Sequence, residues 1–207
     1  MTRAEARERN RRALLDAAFQ VVSRDGYRAR LEEIAERADL TTGAIYSLFG
    51  SKNGLVVALV ADYLRPHYEE IEQAVPAGLD LLEAVDAFAR YYRRSCDAPD
   101  ARSGLALQTT LLDMALHDPD LGSQLATSIR TQESHLTALF TGRSHDAGVV
   151  TSHQAQRLVT ALRALFVGLS QSVILGLADG ADEQYFADAA RSLASAVSLI
   201  DDGADAS

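Results

Sequence analysis

The sequence predicts an all-α protein of nine helices, and three observations predict it. Gly accounts for only 13 of 207 residues and Pro for 4, while Ala and Leu, both good helix formers, are abundant. Apolar residues recur at helical spacing in one segment after another, with no sustained period-two run of β-branched residues. Breaks rich in Gly, Pro and Asp separate these segments. Apolar residues make up 47% of the chain, enough to bury a sizeable core.

Each element follows from local signals. A first helix is expected over Arg9–Arg24, with Leu14, Ala18, Val21 and Val22 on one face, and Gly26 breaks it. A short helix follows over Leu31–Ala38, and Asp39 and Leu40 form a tight turn. Thr41 or Thr42 can cap a third helix ending near Phe49 and Gly50, because a hydroxyl accepts a free first-turn N–H. Ser51 caps a fourth helix beginning at Lys52, which Pro66 either ends or kinks. Helices are expected next over Leu79–Cys96 and Ser103–His117. Asp118 followed by Pro119 is a strong helix start, and the seventh helix runs to about Thr141. A polar loop spans 142–151. The eighth helix covers Ser152–Ala178, the ninth Asp182–Ile200, and residues 201–207 form a polar tail.

Charge is unevenly distributed. The whole chain carries −9, which by itself speaks against nucleic acid. Residues 1–65, however, hold 11 Lys+Arg against 9 Asp+Glu, while residues 66–207 hold 9 against 20. A phosphate backbone needs a local basic patch, not a basic total. The basic segment Arg3–Arg12 reads either as an arm reaching DNA or as a solvated tail. The N-terminus lacks the apolar run of a signal peptide, no stretch is read as a bilayer span, and the one cysteine, Cys96, cannot form an intrachain disulfide. A cytoplasmic protein without membrane association is expected.

The segment Arg11–Leu59 has the form of a helix-turn-helix: two short helices around a tight turn, braced by a longer apolar helix. Small or hydroxyl-bearing residues at the front of the second short helix (Thr41, Thr42, Gly43, Ala44) let that end sit deep in a major groove. Tyr46 lies a turn further on, with Ser47 beside it. Lys52 opposes the dipole of the helix it begins. A phosphate shared between its ammonium and the free N–H groups would reverse that cost, whereas the bland alternative is a solvated lysine.

Leu15, Asp16, Ala17, Ala18 and Phe19, then Gly26 and Tyr27, Ile34 and Ala35, Thr42–Tyr46, Phe49, Ser51 and Lys52 together resemble the tetracycline-repressor (TetR/AcrR) family over about fifty residues. The resemblance implies a nine-helix dimer whose third helix reads DNA, with Tyr46 and Lys52 on phosphate. It implies a division into a DNA-binding domain, 1–55, and a ligand-binding and dimerisation domain, 56–207. The sequence departs from the family at Arg30 and Leu31, which replace the usual hydroxyl pair starting the second helix. Arg28 or Arg30 can substitute for that cap's phosphate contact. It departs again at Asp39, in place of a turn glycine, where Asp tolerates a left-handed backbone, and at Asn53 and Gly54, in place of an acidic pair. Gly54 should cost the first turn roughly 1 kcal/mol relative to Ala. The candidate DNA-binding residues are thus Arg30, Thr41, Thr42, Gly43, Ala44, Tyr46, Ser47 and Lys52.

In the body, Ala164, Gly168, Ser172 and Gly176 form a stripe of small residues that would let another helix approach closely. An apolar stripe of Leu162, Phe166, Leu169 and Val173 adjoins it. Leu162, Phe166, Leu169, Val173 and Gly176, with Phe186 and Leu193 of the ninth helix, are the expected homodimer interface. The alternative is that the ninth helix of the same chain fills this groove. Phe88, Tyr91, Tyr92, Leu107, Thr110, Leu111, Met114 and Phe140 are the candidate lining of a pocket for a small hydrophobic or amphipathic effector, or else plain core.

Catalysis is not expected. None of the five histidines has metal-ligand spacing, Ser144, His145 and Asp146 are sequence neighbours that point apart, and Cys96 lacks an obvious base. No cofactor or metal is expected. The functional expectation is a transcriptional repressor released from a palindromic double-stranded operator by a small effector. The alternative is a DNA-binding regulator that acts constitutively or answers to a protein partner.

Overall fold

Helix α1 begins earlier than its apolar pattern suggests. The Thr2 hydroxyl accepts the Glu5 N–H at 3.2 Å, and the Glu5 carboxylate accepts the Thr2 N–H at 2.7 Å, a capping box that starts the helix at Arg3. In the computed structural model, which describes residues 2–146 and 148–197 and all their side chains except those of Tyr27, Gln132, Ala196 and Val197, the segment Arg3–Arg12 is therefore neither an extended arm nor a loose tail. It is the first half of α1, Arg3–Asp25. The end expected for the ninth helix, 198–200, and the polar tail 201–207 lie outside the described residues, as does the side chain of Tyr27.

The remaining elements are α2 Leu31–Arg37, α3 Thr42–Phe49, α4 Lys52–Ala74, α5 Leu81–Ser95, α6 Ala101–His117, α7 Pro119–Phe140, α8 Ser152–Ile174 and α9 Glu183–Val197, with a 3-10 turn over Gly26–Arg28. The all-α expectation holds, and only the loop at 142–151 departs from its expected form. The expected loop contains two short antiparallel strands, β1 Ser144–His145 and β2 Gly148–Val149. Arg143, at their base, is buried. Its guanidinium donates to the carbonyls of Leu139 (2.6 Å), Pro76 (3.0 Å) and Leu79 (2.7 Å), so α7's end is tied to the α4–α5 connection. Pro66 does not end α4, which continues through it to Ala74.

Packing divides the chain into two units, Met1–Pro66 with Ser103–Ile129, and His67–Arg102 with Arg130–Ser207. By packing, α6 and the start of α7 fold with the N-terminal helices, whereas the expected division falls between residues 55 and 56. The first unit's core comes from α1 (Leu14, Leu15, Ala18, Val21, Val22), α2 (Ile34), α3 (Ile45), α4 (Leu55, Val56, Leu59), α6 (Leu107, Met114) and α7 (Leu121, Leu125). Asp62 of α4, little exposed, takes Arg11 at 3.8 Å and Arg12 at 3.6 Å from α1, and also Arg65.

The second unit is built on aromatic rings. Phe88 of α5 meets Tyr92, Phe140 and Phe166 edge-on at 5.1, 5.5 and 5.4 Å. Phe166 of α8 stacks on Tyr92 at 4.7 Å and lies parallel to Phe186 of α9 at 6.1 Å. Such pairs add roughly 0.5–1.5 kcal/mol each beyond the area they bury. Around this core, α5 and α9 are cross-linked by ions. Arg191 reaches Asp86 at 3.1 Å, and Arg94 reaches Glu183 at 3.0 Å.

Helix α8 corrects a further expectation. By length and composition alone it is long and apolar enough to cross a bilayer, and α3 with α4 would qualify only as one span bent by 68°. Ala155, Leu158, Val159, Leu162 and Phe166 of α8 are nonetheless buried in the second unit's core.

Candidate nucleic-acid interface

The turn between α2 and α3 takes the form that Asp39 was expected to allow. Asp39 adopts φ +54°, and the Leu40 N–H returns to the Ala35 carbonyl at 2.9 Å, closing α2 in the manner of a Schellman turn. Thr41 then caps α3, its hydroxyl accepting the Ala44 N–H at 3.3 Å. Ile45 is fully buried and anchors α3. Residues three and four apart share a helical face, so this anchor turns Gly43, Tyr46 and Ser47 outward with the cap Thr41. All four are exposed, Tyr46 by 55%, while Thr42 and Ala44 are half-buried at the edge.

Arg30 stands at the α2 N-cap with no side-chain capping bond. Its guanidinium is exposed, 3.8 Å from Glu32, and Arg28 is exposed beside it. Lys52 is less free than a solvated lysine. Its Nζ donates to the Ala29 carbonyl at 2.6 Å, bracketing the start of α4 to the turn that carries Arg28 and Arg30. Partial burial lowers the ammonium's pKa, and nearby Glu32 offsets part of that. Glu32, Glu36 and Asp39 line a shallow groove beside Thr41 and Thr42, so acid borders the exposed end of α3.

Two features of the next residues escaped the sequence reading. Gly54 was taken as a loosened helix turn. In the structure a Cβ there would overlap the Phe49 carbonyl, so glycine lets α4's first turn lie against the end of α3. Asn53 Nδ2 donates to Asp118 Oδ2 at 3.1 Å, across 65 residues of sequence. Asp118 also accepts the Leu121 N–H at 3.0 Å as the cap of α7. The Leu121 N–H and then the Asn53 amide hold its carboxyl below the usual range. Both Asn53 and Gly54 were visible as departures from the family pattern, and that was their only signal.

The expected pocket lining divides between the two units. Phe88, Tyr91, Tyr92 and Phe140 belong to the second unit's aromatic core or pack on it, whereas Leu107, Leu111 and Met114 belong to the first unit's core. Thr110 is also in the first unit, its methyl against Gly26. The reason is that α6 packs with α1 and α4. Within the second unit, the Tyr91 hydroxyl donates to Glu70 at 2.9 Å and lies 3.1 Å from His67 Nδ1. Burial pushes the Tyr92 phenol's pKa well up.

Of the expected dimer residues, Leu162, Phe166 and Phe186 are fully buried within their own chain, and Leu169, Val173 and Leu193 pack on that same core. Gly176 is exposed with φ +70° just past the end of α8. The small-residue stripe is what faces outward: Ala164 and Gly168 are exposed and Ser172 half-buried. Leu175, Leu177 and Tyr185 add exposed apolar surface of 62%, 76% and 54%.

A short helix seated on a three-helix support, with its hydroxyl-rich face outward beside exposed arginines, defines a helix-turn-helix DNA-binding protein. Residues 14–59 match the family described as bacterial regulatory proteins, tetR family. The chain is 29% identical over 174 residues to the HTH-type transcriptional regulator BetI of Burkholderia lata, covering 82% of this chain and 84% of that protein. A TetR-family regulator from Rhodococcus sp. has a similar structure, with TM-score 0.64 and 21% identity over 93% of this chain and 98% of that one. So has the multidrug binding protein EbrR complexed with proflavin, with TM-score 0.59 and 24% identity over 89% and 99%. Residues 14–59 thus carry the DNA-binding module of the tetR family of bacterial regulatory proteins, and the chain is similar to transcriptional regulators over most of its length.

Proposed function

We propose that this regulator is a homodimeric repressor that occupies a palindromic operator and leaves it when a small apolar or amphipathic effector binds. The observation that carries the DNA half is the outward face of α3, set by the buried anchor Ile45. Thr41, Thr42, Gly43 and Ala44 enter the major groove, with Ser47 alongside, and Tyr46, Lys52 and Arg30 take phosphates. Two copies related by a two-fold axis place two such helices in successive grooves, and occupancy of the site blocks transcription. The outward stripe of α8, Ala164, Gly168 and Ser172, with Leu175, Leu177 and Tyr185, supplies the dimer contact.

The effector half is supported by the second unit's aromatic core, which has a polar margin at Tyr91 and Tyr92, and by the likeness to EbrR, whose structure holds proflavin. Release by about a thousandfold requires that the effector prefer the non-binding form by about 4 kcal/mol. Helix α4 carries Lys52 at one end and ends in the second unit, which makes it the lever. A library screened by thermal shift finds the effector as a compound that raises the melting temperature and lowers operator affinity.

The DNA half is tested by selecting an operator from random duplexes and titrating it against salt. Lys52→Ala should weaken selected and unrelated duplexes about equally and reduce the salt slope by about one phosphate's worth. A loss confined to one base position would remove Lys52 from the phosphate contacts.

A further inference from the structure

The three residues that open α4 each hold a different part of the first unit. Lys52 reaches back to the turn before α2, Gly54 lies against the end of α3, and Asn53 reaches forward to the cap of α7. The first two ties stay within the helix-turn-helix segment. The third joins the DNA-reading segment to the corner between α6 and α7.

We propose that Asn53 is a positioning residue for DNA recognition: its hydrogen bond to Asp118 fixes α4's first turn against the α6–α7 corner, and through the backbone contact at Gly54 it fixes the angle of α3. The inference rests on the DNA-binding reading above. Asn53 need not touch DNA for this role. The Gly54 contact leaves no room for a Cβ, so α4's first turn cannot shift toward α3 without moving Phe49. Ser51 caps this same turn, its hydroxyl accepting the Gly54 N–H at 2.9 Å, which keeps residues 51–54 one stiff piece. At the far side, Asp118 is itself held, because one carboxylate oxygen is engaged by the Leu121 N–H. The other oxygen accepts from Asn53, and a charged acceptor makes this a stronger tie than a neutral one. A movement of the α6–α7 corner is thereby passed to α3 directly, without travelling the length of α4.

The test exchanges the partners of the bond. Asn53→Asp sets two carboxylates against each other. Asn53→Asp with Asp118→Asn restores one donor and one acceptor while keeping a good cap on α7. The readout is the ratio of affinities of the full chain for a duplex selected by the wild type and for a scrambled duplex of equal length. That ratio cancels the added charge at position 53, which both variants share. Amide exchange of residues 49–55 in the DNA-free protein provides a second readout. Asn53→Asp should lower the affinity ratio by roughly tenfold and speed exchange at 49–55, and the exchanged pair should bring both back to within about threefold of wild type. An unchanged ratio in Asn53→Asp, or a loss that the exchanged pair fails to restore, overturns the inference and leaves DNA binding standing. Failure of the wild type to prefer any selected duplex would instead overturn the DNA-binding reading itself, while the exchange measurement still decides whether the bond positions α4.

Discussion

At the residue scale, Gly54 shows how a local rule can mislead. Helix propensity alone says that Ala at this position should stabilise α4 by about 1 kcal/mol. The close approach of the Phe49 carbonyl reverses the sign, because an added methyl must displace backbone and not a flexible side chain. Gly54→Ala should therefore lower stability by about 1–3 kcal/mol, as overpacking does, and should weaken operator binding beyond that. Chemical denaturation with a parallel binding titration checks it; a more stable Ala variant would show that the contact relaxes freely. Asp39 was legible in the sequence, since few residues other than Gly tolerate its left-handed backbone and the turn must close there. Asn53 was not legible. Its partner lies 65 residues away, and nothing in a local pattern announces a side-chain bond over that distance.

At the element scale, helix existence was readable while helix ends and helix neighbours were not. Apolar periodicity located the nine helices among the described residues, but it says nothing about a polar first turn. The start of α1 is set by Thr2 and Glu5, outside the apolar pattern. The pocket set divides between two cores for a different reason: periodicity identifies which face of α6 is buried and not what buries it, and Leu107 and Met114 belong to the first unit's core. The same holds for α8, whose two adjoining stripes looked equally fit for an interface until the aromatic core claimed Leu162 and Phe166. Pro66 gives α4 its own prediction. The helix continues past a residue that lacks an N–H and crowds the carbonyl four residues earlier, at Asp62. Pro66→Ala should restore that bond and raise the melting temperature by several degrees, corresponding to roughly 1–3 kcal/mol. If α4 is the lever, the same variant should also blunt release of operator by effector. A fall in melting temperature would mean that the packing around Pro66 depends on the ring, and unchanged induction would remove Pro66 from the transmission of the signal.

At the scale of the whole molecule, the charge asymmetry and the outward stripe of α8 have one consequence in common. Residues 1–65 hold 11 Lys+Arg against 9 Asp+Glu while residues 66–207 hold 9 against 20, so a single copy offers DNA only a small basic footprint. Pairing two copies doubles the phosphate contacts on one duplex, and the affinity of the pair rises far more than twofold, because the second reading helix binds at the high effective concentration set by the first. Dimer stability should therefore govern operator affinity. Gly168 is the place to test it. It is exposed on α8, and a Cβ added there meets nothing within 4 Å in its own chain, so a larger residue leaves the monomer's packing intact. Gly168→Glu should keep helical content and, apart from a small propensity gain over Gly, the stability of the isolated chain. It should also raise the dimer dissociation constant by at least about a hundredfold, through a bulky charge placed where two helices must approach closely. Sedimentation velocity across a concentration series reads the first effect. The operator titration should then become steeper in protein concentration and shift to higher midpoint, while binding to unrelated duplex at low salt changes little. A Gly168→Glu protein that remains dimeric would move the interface off this stripe of α8, and the exposed Leu175, Leu177 and Tyr185 would then be its next candidates.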